Sequence, residues 1–285
     1  MVWGSVVATL AASLIIAIGG LVTTAASLST PSTAFLLTPT GHQRVAEIAG
    51  TLVLLYLLWA GIQGRTAAVK LTALATIGAL IGAGALGFLR GVGAGVSPGI
   101  GTLHATLGHL VVTGVVTVGL LSSRIVNRPI EPLEDYGWPS LRSLGKLAPI
   151  LVFTQVVLGA AFRQGAIGLM PHIVGAMAVS LFVLMVGAFA LHQFPHHRPL
   201  APASRVMLGL LFTQAFFGLA SFTVRSMTEL PPEALLVVTG VHVVVGAWLL
   251  AASTAMGILV LRYVAPKDTS RGTTGSTSST RTETP

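Results

Sequence analysis

Four histidines, His42, His104, His172 and His242, stand at or near the start of alternate apolar segments in a chain whose long hydrophobic runs carry almost no other ionisable group. Imidazole is the usual axial ligand of haem iron, and a polar side chain inside a spanning helix is costly unless it has a partner. The pattern points to haem ligation within a helical membrane bundle. One such histidine at a helix start is readily solvated by lipid headgroups or water; four in equivalent positions call for a shared ligand. The chain has no cysteine, which excludes disulfides, thiolate-ligated iron, iron–sulfur clusters and covalent Cys-x-x-Cys-His haem attachment. Any metal must be held by His, carboxylate or Met.

The elements that must position these residues follow from composition. Of 285 residues 53% are apolar and 8% charged, and the mean hydropathy is +0.86, values that fit a polytopic membrane protein and not a water-soluble domain. Runs of roughly 20 apolar residues, the length that crosses a ~30 Å hydrocarbon core, occur at about 4–27, 43–62, 71–89, 102–121, 147–163, 171–191, 206–223 and 235–262. With both termini cytoplasmic, only Arg44, Arg90, Arg163 and Arg225 of the 16 basic residues fall outside, the positive-inside bias expected of Lys and Arg near spanning helices. That bias accounts for the net charge of +8 without a nucleic-acid partner. Met1 leads almost directly into the first segment, without an Arg-rich amphipathic leader or a small-residue cleavage site, so a multi-pass protein of a bacterial or archaeal plasma membrane is expected. The Ser/Thr/Gly-rich tail from about Lys267 to Pro285 reads as disordered in the cytoplasm.

The fold class expected is all-α, with eight transmembrane helices as two pseudo-symmetric four-helix bundles. The first half covers 1–121, a charged cytoplasmic linker 122–146, the second half 147–264 and the tail 265–285. In this topology the four histidines share an outer-leaflet depth, and two facing pairs are available. Local repeats support the halves: Phe153-Thr154-Gln155-x-x-x-Gly159 recurs as Phe212-Thr213-Gln214-x-x-x-Gly218. His104-x-x-x-Gly108 is echoed by His242-x-x-x-Gly246, with His172-x-x-Gly175 one residue shorter; a small residue there leaves space for a flat macrocycle or a neighbouring helix. His109 lies ~7.5 Å deeper than His104 and about 140° round the helix, and is either the ligand in place of His104 or a hydrogen-bonding group. His192, His196 and His197 beside Arg198 read as a solvated, headgroup-facing patch.

Gly19-Gly20-Leu-Val-Thr-Thr, Gly41-His42-Gln-Arg44, Leu103-His104-Ala105, Gln155-x-x-x-Gly159-Ala-x-x-Arg163 with Pro171-His172-Ile-Val-Gly175-Ala176, and Val241-His242-Val-Val-Val-Gly246-Ala247 together resemble the haem A synthase (haem O oxygenase) family over residues 15–262. The resemblance implies an eight-helix protein that converts the C8 methyl of haem O to the formyl group of haem A for terminal oxidases. It implies that His172 and His242 ligate a resident haem b, and that His42 and His104 flank the haem undergoing oxidation as catalytic residues and iron ligands. Arg44 and Arg163 are the arginines best placed to pair with haem propionates, lipid phosphate being the other anion open to them. Implied partners are haem O and its synthase, terminal oxidase assembly, an electron partner the sequence does not name and the lipid bilayer, with a homo-oligomer allowed.

The chain departs from the family pattern where a glutamate commonly precedes the first histidine by three residues, here Pro39; where Gln43 separates His42 from Arg44; and where Gln164 follows Arg163 in place of histidine. Glu47 is the one acid near the first site. A non-catalytic haem-b-binding protein in electron transfer, haem handling or oxidase assembly is the alternative reading. A transporter is disfavoured, because no broken helix pair or intramembrane carboxylate relay stands out.

Overall fold

The computed structural model describes residues 2–28, 34–91, 97–136, 138–227 and 231–266. The expected tail beyond Pro266 lies outside them. Their helices are α1 (Val2–Ala25), α2 (Pro39–Gln63), α3 (Ala67–Gly91), α4 (Pro98–Leu121), the short α5 (Arg124–Asn127), α6 (Leu141–Arg163), α7 (Leu169–Gln193), α8 (Leu200–Ser226) and α9 (Pro232–Tyr263). All but α5 are long and apolar enough to cross a membrane. Among the described residues the β-structure is one isolated parallel bridge, Leu133 with Val264. Over the described residues the chain is an all-helical, multi-pass membrane protein with eight helices of spanning length.

Local chemistry sets where the histidine-bearing helices begin. Thr38 caps α2, its hydroxyl oxygen accepting from Gly41 N at 3.1 Å, with Pro39 in the first turn. Ser97 caps α4 in the same way, accepting from Ile100 N at 3.3 Å ahead of Pro98. Both pair a hydroxyl acceptor with a proline whose missing N–H has no helical partner to lose. The 3₁₀ turn Phe35–Leu37 folds back on α2 so closely that a Cβ at Gly41 would strike the Phe35 carbonyl. His42 follows directly from that close approach.

Helices α1 to α4 pack in sequence, and α1 also meets α4; α6 to α9 pack in sequence, and α6 also meets α9. Contacts of α1 with α9, α4 with α9 and α4 with α6 join the two sets. One core contains Val53, Leu57, Val112, Val115 and Val118, and takes in Ala247 of α9; the other contains Leu141, Val183, Val186, Met207, Met256 and Val260. Because lipid tails are as apolar as leucine, association rests on close packing of small residues, and Ala8, Ala12, Ala60, Ala73, Ala190 and Ala251 are buried while Leu10, Leu52, Leu74, Ile81 and Phe216 face outward. Several hydroxyls in the spans are satisfied within their helices: Ser13 Oγ donates to Thr9 O, Thr113 Oγ1 to His109 O and Thr117 Oγ1 to Thr113 O.

Helix α6 begins at Leu141, so residues 141–146, expected in the linker, are already helical. Pro149 inside it cannot bond the Gly145 carbonyl one turn back. That carbonyl instead meets α9 at Gly257, where a Cβ would come within 2.6 Å of it. The remaining linker is sewn to the end of α9. Leu133 N donates to Tyr263 O, Ala265 N to Leu133 O, Arg262 to the carbonyls of Val126 and Arg128, and Tyr263 Oη to Ile125 O. Arg142 donates to the carbonyls of Leu261 and Val264. The His197 ring packs edge-on against Tyr263 at 4.8 Å, and burial holds its pKa below the usual histidine value. His192 and His196 are exposed.

Candidate functional site

His42 lies about one turn into α2 and His172 about one turn into α7; His104 is nearly two turns into α4 and His242 about three turns into α9. The structure brings them together as two pairs. The rings of His42 and His104 are 6.2 Å apart, centre to centre, with planes at 90°; those of His172 and His242 are 6.3 Å apart with planes at 89°. All four are half-buried.

Each imidazole rests on a glycine of the preceding spanning helix. A Cβ would come within 2.9 Å of His42 Cε1 at Gly19, 3.1 Å of His104 Cε1 at Gly87, 2.8 Å of His172 Cε1 at Gly159 and 3.0 Å of His242 Cε1 at Gly218. Four helical hairpins thus repeat one arrangement. The Phe-Thr-Gln-x-x-x-Gly repeat contained two of these glycines; Gly19 and Gly87 lacked a matching sequence frame and were not read as ring supports. The small residues after the histidines let neighbouring helices approach closely. Gly108 meets Ile16, Gly175 meets Gln155 and Leu158, and Gly246 meets Gln214. Gly159→Ala is expected to lower stability by about 1–3 kcal/mol through overpacking. Gly209→Ala, at a position with nothing within 4 Å, should gain up to ~1 kcal/mol of helix propensity. Thermal unfolding of the two variants in detergent checks the contrast.

Hydrogen bonds differ among the rings. His104 Nδ1 donates to Ala83 O at 2.9 Å and His242 Nδ1 to Gln214 O at 3.2 Å, while Gln214 Nε2 lies 3.2 Å from His242 Nε2. Gln155 Nε2 donates to His172 O at 2.8 Å and lies 2.9 Å from His172 Nδ1. His42 Nδ1 is buried without a hydrogen-bond partner. Phe162 stacks on His172 with centres 6.4 Å apart.

No known family model matches the chain, and neither does any curated protein.

Of His104 and His109, His104 is the one whose ring faces His42. His109 is buried, its Nδ1 donates to Ala105 O at 2.8 Å, and the ring also hydrogen-bonds the Val243 backbone of α9. It sits between α4 and α9, and His104 is the residue facing His42. The arginines part company. Arg44 is exposed and pairs with Glu47 at 2.9 Å. Arg163 reaches from α6 to α1, donating to Gly20 O and Thr24 Oγ1, and lies within electrostatic range of His242. Arg90, which the sequence reading ranked below these two, lies within range of both His42 and His104 and donates to Gln164 Oε1 at 3.1 Å. Gln164 therefore ties α3 to the turn after α6.

Among the described residues no group of three or more His, Asp or Glu could hold a metal ion. Two imidazoles per site suit an ion that brings its other donors with it. A metal–imidazole bond of about 2 Å on each side, with roughly 1 Å more from nitrogen to ring centre, separates two axial rings by about 6 Å. Both pairs meet that spacing, which is the separation an iron porphyrin between two imidazoles would need.

Proposed function

We propose that this chain is a membrane oxidoreductase of the haem A synthase type, oxidising the C8 methyl of haem O to the formyl group of haem A for terminal oxidases. The observation that carries the reading is the duplicated histidine pair, alike in separation and in ring angle in both halves. Matching helix packing and the four glycine-supported rings support two pseudo-symmetric four-helix bundles. His172 and His242 would hold haem b, and His42 and His104 would hold the haem substrate. Haem b, when bound, would supply one-electron redox chemistry, and the two imidazoles with the apolar surroundings would tune its potential.

Turning a methyl group and water into a formyl group releases electrons and protons, so the reaction needs a membrane electron acceptor, and the chain must fix the substrate, admit water at one edge and pass the electrons on to that acceptor. His42 and His104 would fix the substrate between them. Arg90, close to both and anchored by Gln164, is placed to pair with a substrate carboxylate. Arg163 closes the contact between the halves. The bias of basic residues supports cytoplasmic termini, histidines near the outer leaflet and a bacterial or archaeal plasma membrane.

A second reading, a haem-binding protein without the oxidation step, is favoured by one observation. Pro39 occupies the first turn of α2 where the family has glutamate, and Glu47 is engaged by Arg44 and Gln43. Co-expression with a haem O source, followed by haem extraction and chromatography of the purified protein, separates the two. Haem A or its hydroxylated precursor beside haem B supports the enzyme; haem B with unchanged haem O supports the second reading; a protein without any haem overturns both.

A further inference from the structure

The four hairpins agree in setting a glycine against each ring, and they diverge one turn before that glycine. The residues there are Ile15, Ala83, Gln155 and Gln214. His104 and His242 meet the same device, a main-chain carbonyl, from Ala83 and Gln214 respectively. His42 and His172 do not. His172 has the Gln155 amide at its Nδ1, in a niche that exists because position 175 is glycine: a Cβ there would collide with Gln155 Oε1. His42 has Ile15 at the corresponding position and a buried Nδ1 with no partner.

We propose that Gln155 is the positioning residue that makes the His172/His242 pair a slowly exchanging haem site, and that Ile15 leaves His42 the labile ligand through which the His42/His104 pair takes up and releases its haem. This rests on the proposed function and adds the residues that divide resident from passing haem. A histidine that ligates through Nε2 carries its proton on Nδ1, and an oxygen acceptor there fixes the tautomer, orients the ring and strengthens it as a donor. In the structure Gln155 Nε2 lies at Nδ1 and also donates to His172 O; turning the buried, unpartnered Oε1 to the ring gives up that main-chain bond and supplies the acceptor that a ligated His172 needs for its Nδ1 proton. A ligated His42 has no such acceptor, and a buried N–H left unpaired weakens the ligated state.

The test uses the full chain in detergent, loaded with ferric haem b. One site is isolated by His42→Ala/His104→Ala and the other by His172→Ala/His242→Ala, and haem loss to excess apomyoglobin is timed. The His172/His242 site should release haem more slowly. Gln155→Leu should speed its release by about 10- to 100-fold, the usual effect of removing such a partner, and raise the midpoint potential of the bound haem. Gln155→Glu should restore retention and lower the potential. Ile15→Gln should slow release from the His42/His104 site. Unchanged release and potential in both Gln155→Leu and Ile15→Gln, with haem still bound through the histidines, overturn this inference alone. Failure of the unsubstituted chain to bind haem at either pair overturns the proposed function and this inference with it.

Discussion

Under the proposed function, alanine at His172 or His242 is expected to remove a tightly bound b-type haem from the purified protein while the helices remain inserted. Each histidine supplies one of the two protein donors of its pair, and among the described residues no third His, Asp or Glu joins them. The nearest spare imidazole, His109, is held by Ala105 O and the Val243 backbone and is not free to swing in. Loss of an axial ligand should therefore cut haem content by more than about tenfold, at least as much as removal of a partner outside the coordination sphere. The alanine leaves no new charge or clash, so helicity by circular dichroism should hold. The haem content of the two variants, read as the pyridine haemochrome, checks the result; unchanged haem in both defeats the assignment of this pair.

Alanine at His42 or His104 should have the opposite pattern: haem b retained, and haem A formation lowered by about 100-fold or more, the cost of a reactant displaced by even 1 Å. The two pairs use different helices, α2 with α4 and α7 with α9, so removing a ring from one leaves the scaffold of the other in place. Product per haem b, measured in cells supplying haem O, separates the effects. Full product in both variants would remove the first pair from the reaction.

Much of the architecture was legible because lipid imposes simple rules. Eight runs of membrane length became eight spans, since a backbone in hydrocarbon has few other ways to satisfy its hydrogen bonds. Helix starts were less legible. Residues 141–146 carry Arg142 and Lys146 and read as linker, yet they are helical because Leu141 and Leu144 bury into the second core and Arg142 finds carbonyls on α9. Periodicity could not choose between His104 and His109; that needed the position of α2 and α9 around α4. The repeat at Gln155 and Gln214 was visible, but its contact with the following histidine was not, because one amide meets its ring by the side chain and the other also by the main chain. Glycines at Gly108, Gly175 and Gly246 left room for a macrocycle or a neighbouring helix; Ile16, Gln155 and Gln214 of neighbouring helices meet them. Sequence registers that a site is small, and not which neighbour fills it.

Helix α9 belongs to both halves: Ala247 completes the core of the first, Trp248 Nε1 donates to Ser13 Oγ of α1, and Met256 and Val260 complete the core of the second. A nascent chain that has inserted α1 to α8 still lacks one wall of each core. His42 and His104 are already in the membrane by then, whereas His242 arrives only with α9. During biosynthesis, then, the first histidine pair can form before the second, and the same late insertion event seals the first core and creates the second pair.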